Sequence, residues 1–324
     1  MFVKKFTHLA LSAALVAGFA VSAIADEAPV QPGPVLQENV PGSFLVFPKF
    51  DIRGESSTQL RIVNNGYHDV DVLLNYVCPG VKHVNDFCAS LNTEVSFTPH
   101  QTRVIDVADQ HPPCNQGYVV AIALGRYNKP ASYNYLTGSY HVYNGRRHEA
   151  ENAIAIQSVR AKGDTLGSDN KLYFGNDYTS LSSNLYTDFR AVSFGGEGEA
   201  DEGSRLTLLT LDVLAGQQNP AALAFIDFWN SAEVPFSTSV EFICWTERQL
   251  DTIDANFLED NLGTTYGSMK IVPYANCPIP GGCPPMNFYT ASMLGAIEEY
   301  GDGTSGGRTL FHDTTPKSAV FMPR

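Results

Sequence analysis

The chain has 324 residues, 44% of them hydrophobic and 17% charged, with a formal net charge of −13. This composition excludes general disorder, which needs low hydrophobicity and high charge, and it excludes collagen and coiled coil. It also excludes nucleic acid as an expected partner, because phosphate binding needs clustered Lys and Arg.

Residues 1–25 read as a secretory signal peptide. Lys4 and Lys5 precede the mostly apolar stretch Leu9–Val21, and Ala23-Ile24-Ala25 is a small-x-small cleavage site. The stretch is short for a membrane span, and no later apolar run reaches the roughly 18 residues a span needs. The expected mature chain has no transmembrane segment. It is secreted, to the periplasm or to the extracellular surface of a bacterium. Residues 26–42 carry four Pro and read as an extended linker.

From Ser43 the apolar residues recur with period two. Gln59–Val63 runs into Asn64-Asn65-Gly66, and Val70–Val77 follows, which predicts a hairpin. Val95–Phe97, Thr102–Val107, Gly117–Leu124, Tyr133–Tyr143 and Ala153–Val159 read as further short strands. Regular short strands with Gly, Pro and Asn between them predict an antiparallel sandwich over 43–160. Residues 161–204 are rich in Gly, Asp and Ser and read as a connection. Their last part, Gly195–Gly203, reads as a solvated acidic loop.

Residues 205–324 then repeat the first half as a second sandwich. Leu206–Leu214 and Ala222–Trp229 match the opening pair, and Val240–Trp245 followed by Leu250–Asp254 matches Val95–Phe97 followed by Val104–Asp109. Tyr266–Val272 matches Gly117–Leu124. Tyr135–Tyr143 (YLTGSYHVY) matches Ser292–Tyr300 (SMLGAIEEY), each with a Gly and, five residues later, a Tyr. The fold class is therefore all-β, two tandem antiparallel, immunoglobulin-like β-sandwich domains.

Six Cys fall after the leader: Cys78, Cys88, Cys114, Cys244, Cys277 and Cys283. An even count behind a signal peptide predicts three disulfides. The shortest loops suggest Cys78–Cys88 and Cys277–Cys283, leaving Cys114 with Cys244. Each half holds three Cys, so three bridges require at least one between the halves. No C-x-x-C is present to suggest zinc or covalent haem.

The strings Thr58–Tyr76 (TQLRIVNNGYHDVDVLLNY), Phe97–Thr102 (FTPHQT) and Gly117–Ala121 (GYVVA) resemble a loose, largely uncharacterised class of secreted bacterial proteins with tandem immunoglobulin-like β-sandwich domains. The likeness covers about 43–160 and is weaker in the second half. It implies immunoglobulin-like sandwiches outside the cytoplasm and transfers no catalytic residues.

The ligand-binding candidates are Tyr127, Tyr133, Tyr135, Tyr140 and Tyr143, a Tyr-rich strand face whose rings could stack on sugars. Asp164, Asp169, Asn170 and Asp177 crowd one loop region and are the candidate calcium ligands, since calcium prefers several oxygens from a flexible loop. Calcium is the only cofactor suggested. Gly303–Gly307 does not match a serine-hydrolase string and reads as a hairpin loop. His148-Glu149 reads as part of an exposed loop, and no acid pair is singled out by spacing. Trp245, beside Cys244, reads as core against a disulfide. The expected function is a non-catalytic cell-surface or envelope protein, structural or interacting, with protein or glycan partners and self-association. A Tyr-face ligand-binding module and a secreted hydrolase are the alternatives.

Overall fold

The computed structural model describes residues 40–324 except 81–87, 146, 168–170, 183, 196–199, 212–220, 276–292, 302–303, 313–315, 318 and 322–324. A first set of strands comprises β1 (Phe44–Asp51), β2 (Ser56–Asn64), β3 (Val70–Val77), β4 (Ser90–Phe97), β5 (Thr102–Asp106), β6 (Gln116–Leu124), β7 (Leu136–Asn144), β8 (Arg147–Asn152) and β9 (Ile154–Ile156). A second set comprises β10 (Leu185–Arg190), β11 (Ala200–Thr210), β12 (Ala221–Asn230), β13 (Pro235–Ile243), β14 (Trp245–Gln249), β15 (Tyr266–Ala275), β16 (Met293–Gly301), β17 (Thr304–Thr309) and β18 (Phe311–His312).

The first set forms sheet A, in the order β4-β3-β6-β1-β9, and sheet B, in the order β5-β2-β7-β8. The second set forms sheet A′, β13-β12-β15-β10-β18, and sheet B′, in which β11 lies between β14 and β16 and β17 closes the edge. Every pairing in the first set recurs in the second, and all the ladders are antiparallel. Apart from Leu250–Asp254, the repeat matches expected from sequence fall on equivalent strands. Gly138 lies opposite Ile62 and Gly295 opposite Leu208. The Phe50 ring lies on Gly117 and the Phe189 ring on Gly267, where a built Cβ would meet ring carbons at 3.0 and 2.5 Å. In both repeats, then, a glycine makes room for an aromatic ring from the neighbouring strand.

The chain is all-β and antiparallel, as expected, but its four large sheets take a four-blade, propeller-like arrangement rather than two tandem immunoglobulin-like sandwiches. Among the described residues, both sets of strands belong to one compact unit. Three apolar clusters explain this. One joins sheets A and B through residues such as Leu45, Phe47, Leu60, Leu74 and Tyr140. A second joins A′ and B′ through Phe189, Leu206, Ile226, Met269 and Ile297. The third contains Phe44, Val46, Tyr118 and Val120 of one repeat with Leu209, Ile243, Trp245 and Leu294 of the other. This cluster buries the second face of β1 and β6, so both strands read as continuous apolar runs.

Three local expectations are corrected. β2 and β3 are no hairpin; they belong to different sheets. Asn64 redirects the chain between them: its amide donates to the carbonyls of His68 and Thr98, and its Oδ1 accepts from the Gly66 N–H and the Tyr133 hydroxyl. Leu250–Ile253 is a single helical turn rather than a strand, with Leu250 buried. Residues 161–204 are more than a connection, since they contain β10 and the start of β11, and Ala200–Glu202 of the expected loop are strand. The C-terminal residues return to this region, where Ala319–Phe321 pairs with Lys171–Tyr173 and Pro316–Lys317 with Leu181–Ser182.

Cys78 bonds Cys114, and Cys88 bonds Cys244. The expected Cys78–Cys88 and Cys114–Cys244 pairs are thus exchanged, although one bridge does link the repeats. Antiparallel pairing of β3 with β6 brings the end of one strand to the start of the other, which puts Cys114 beside Cys78. Cys277 and Cys283 lie outside the described residues.

Candidate functional site

The two sets of strands meet along equivalent edges. Aligning Gly138 with Gly295 places β8 on β17 without a gap, so that Glu151 corresponds to Arg308 and Ala150 to Gly307. β8 and β17 pack against each other. Beside them the segments Ala150–Ala155 and Gly307–His312 enclose a cleft of about 540 Å³, to which Ser139 and His141 also contribute. Such a volume suits a small organic ligand.

Glu151 stands at the wall of this cleft. It is 7% exposed, both its carboxyl oxygens are closed off from solvent, and their polar neighbour is the Tyr140 hydroxyl. Its side chain occupies space left by Gly307, where a built Cβ would lie 1.5 Å from Oε1. Burial, reinforced by the charge of Glu149, pushes its carboxyl up to about 8, while the neighbouring Tyr140 hydroxyl and Lys49 pull it down. Glu151 is therefore mostly protonated at neutral pH. Tyr140, directly opposite on β7, is fully buried, and its hydroxyl is raised by the same burial and by Glu151 and Glu149.

Behind Glu151 lies a buried ion cluster. Lys49 Nζ is 2.8 Å from Glu149 Oε2 and 3.4 Å from Glu298 Oε2, and it also pairs with Glu247. Arg205 stands 3.9 Å from Glu298. Burial alone would lower the Lys49 ammonium, but the three carboxylates together raise it. Burial raises Glu149 despite the attraction of Lys49. A bulge puts Lys49 here. Between Phe47 and Phe50 the β1–β6 register slips, so Phe50 regains the inner cluster and Lys49 turns away from it. Pro48, without an N–H to pair, occupies the slip, and its carbonyl accepts from Trp245 Nε1 at 2.8 Å. Trp245 is buried beside the disulfide-bonded Cys244, as expected.

No known family profile matches the chain, and none of the curated proteins is similar to it.

The sequence-derived candidates do not assemble into sites. Tyr140 faces the core, while Tyr127 is 88% exposed on a left-handed backbone. Tyr133 spends its hydroxyl on Asn64 and His68, and its ring meets Tyr135 edge-on. Tyr143 stacks on His148 at 4.4 Å, and His148 stacks in turn on His141. The five rings share no face because only Tyr140 and Tyr143 lie in β7 and they point to opposite sides. Of the candidate calcium ligands, Asp177 is buried and ion-paired with Arg160, whose guanidinium takes the place of a cation. The Asp164 carbonyl accepts from the same Arg. Asp169 and Asn170 lie outside the described residues. Among the described residues, no group of three His, Cys, Asp or Glu is arranged to hold a metal. Thr304–Gly307 is strand in β17 rather than loop.

Sequence reasoning missed Lys49, Glu149, Glu151, Glu247 and Glu298. Two signals were available. Lys49 is the one charge in the run Phe44–Phe50 (FLVFPKF), and Glu149 and Glu151 alternate as neighbours on one strand face do. Instead of an exposed loop, His148-Glu149 belongs to β8, and Glu149 is buried.

Proposed function

We propose that this chain is an exported, non-catalytic interaction protein of a bacterial envelope or exterior, built on two antiparallel β repeats in a propeller-like arrangement, that binds its ligand in the cleft between the repeats. The observation that carries this reading is the cleft itself, lined by Ser139, His141 and Ala150 of one repeat and by Thr309, Phe311 and His312 of the other. Two disulfides fit an oxidising compartment, and the leader-like residues 1–25 point the same way. The test is a screen of residues 26–324 against defined neutral oligosaccharides, short peptides and small amines, repeated with Ala150→Trp. Ala150 is exposed at the mouth of the cleft. The expected result is at least a tenfold loss of binding in A150W with an unchanged circular dichroism spectrum; full binding by A150W removes the cleft from the reading.

Self-association is a second reading, favoured by β4 and β13. These strands end sheets A and A′ and expose alternate residues along their length. An edge can accept an added strand. Sedimentation velocity over a concentration range, with and without residues 26–42, tests it. Concentration-dependent species that vanish on deletion support an assembling subunit, and a clean monomer removes this reading.

A further inference from the structure

We propose that His141 and His148 form a site for a divalent transition-metal ion, held by His141 Nδ1 and His148 Nε2 on the outer face of the β7–β8 hairpin. The inference goes beyond the reading of the cleft and does not depend on it.

Strand register places the two rings. Asn144 pairs with Arg147, so only two residues join β7 to β8, and so short a connection fixes the pairing of the strands. Tyr143 then lies opposite His148, and His141 opposite Ala150, which sets the histidines diagonally on one face of sheet B. That face is the outer one. Val142 and Glu149, which point the other way, are buried, whereas His148 is exposed and His141 half-buried. Tyr143 stacks on His148 with the two planes 5° apart and steadies its ring.

His141 Nδ1 lies 3.1 Å from His148 Nε2. One nitrogen donates its N–H to the lone pair of the other, so each ring aims a nitrogen at its partner with a single proton between them. A metal ion needs the same two nitrogens. With metal–nitrogen bonds of roughly 2.0–2.1 Å, two ligands between right-angled and tetrahedral placement stand about 2.9–3.4 Å apart. The observed separation falls inside that range, so the strands need not move. The proton balance is simple: the bridging proton passes to the far nitrogen of its own ring, and each imidazole, still neutral, gives the ion one lone pair.

Imidazole nitrogen suits copper, nickel and zinc, whereas calcium and magnesium take oxygen. Among the described residues no third His, Cys, Asp or Glu completes the set. Water or an outside ligand therefore fills the remaining positions, as in open metal sites. The net charge of −13 favours cations in general. Arg61, on β2, opposes them locally, since its charge acts on His141.

The experiment is equilibrium dialysis of untagged residues 26–324 against copper(II) buffered with glycine, followed by pulsed electron paramagnetic resonance, which counts the bound imidazoles. One copper ion should bind per chain with two imidazoles, and millimolar calcium should not displace it. His141→Gln and His148→Gln, each checked for an unchanged circular dichroism spectrum, should lose the two-imidazole signal and at least about tenfold in affinity. His100→Gln, which removes an exposed histidine elsewhere, should change neither. Arg61→Gln should bind copper more tightly. No bound copper, a single-imidazole signal in the wild type, or displacement by calcium overturns the proposal. So does full affinity in H148Q, an equal loss in H100Q, or weaker binding in R61Q. His148 is exposed, so H148Q decides the matter even if H141Q fails to fold.

Discussion

Glu151 ties the stability of the protein to pH. In the unfolded chain its carboxyl loses its proton near the ordinary value of 4.5, whereas in the fold it holds the proton up to about 8. Between those values the folded state binds a proton that the unfolded state has released, so stability falls as pH rises, by up to about 1.4 kcal/mol per unit. The contribution is fully present below 4.5 and gone above 8. Glu149 is raised as well and adds a slope of the same sign. Lys49, raised from an already high value, adds none in this range. The melting temperature should therefore drop between pH 5 and pH 8, and E151Q should flatten that drop and melt higher than wild type at pH 8. Gly307→Ala tests the same contact by volume. Its methyl group would overlap the Glu151 carboxyl, at a cost of about 1–3 kcal/mol. In the E151A/G307A double variant most of that cost should disappear, which a double-mutant cycle by urea unfolding would read as coupling. Lys49→Met leaves Glu149 and Glu247 without their counter-ion and Glu298 with Arg205 alone, and should cost about 3–5 kcal/mol by the same method.

At the scale of elements, β1 shows what the sequence conveys and what it withholds. Its apolar run announces a buried strand, and the structure buries all eight of its residues. The register slip at Pro48-Lys49 cannot be read from the run, because which neighbour a strand pairs with is decided by tertiary packing. The same limit explains the lost hairpin. Asn64-Asn65-Gly66 is turn chemistry and does turn the chain, but whether a turn joins strands of one sheet or of two depends on the faces that must be covered. Leu250–Asp254 alternates well enough for a strand, yet in a short run alternation and a helical turn are hard to separate. The repeat was legible because its Gly positions carry steric reasons that survive divergence. The candidate site was not, because its five charged residues come from β1, β8, β14 and β16, and no local spacing links them.

At the scale of the whole molecule, the repeats are held by several independent ties. Cys88–Cys244 closes a separation of 156 residues. The Tyr118 hydroxyl donates to the Thr210 carbonyl at 2.7 Å, and the Gly80 N–H donates to the Ile243 carbonyl at 2.9 Å. With the shared apolar cluster, these ties predict that both repeats unfold together. The C88S/C244S double variant should lose about 2–5 kcal/mol. It should keep a single calorimetric transition, because the cluster and the ion pairs remain. Two separated transitions would show that the disulfide alone couples the repeats.

The exchange of Ala150 for Gly307 at equivalent positions separates this chain from a symmetric dimer of half its length. If the first repeat paired with a copy of itself through the same edge, each Glu151 would meet an Ala150 methyl where it now meets Gly307. Both contacts would collide, and two unpaired acids would share the seam. Joined in one polypeptide, the two edges differ: one carries Glu151 beside Ala150, and the other carries Arg308 beside Gly307. The asymmetry of the seam needs two different halves, and neither half could reproduce it by pairing with itself.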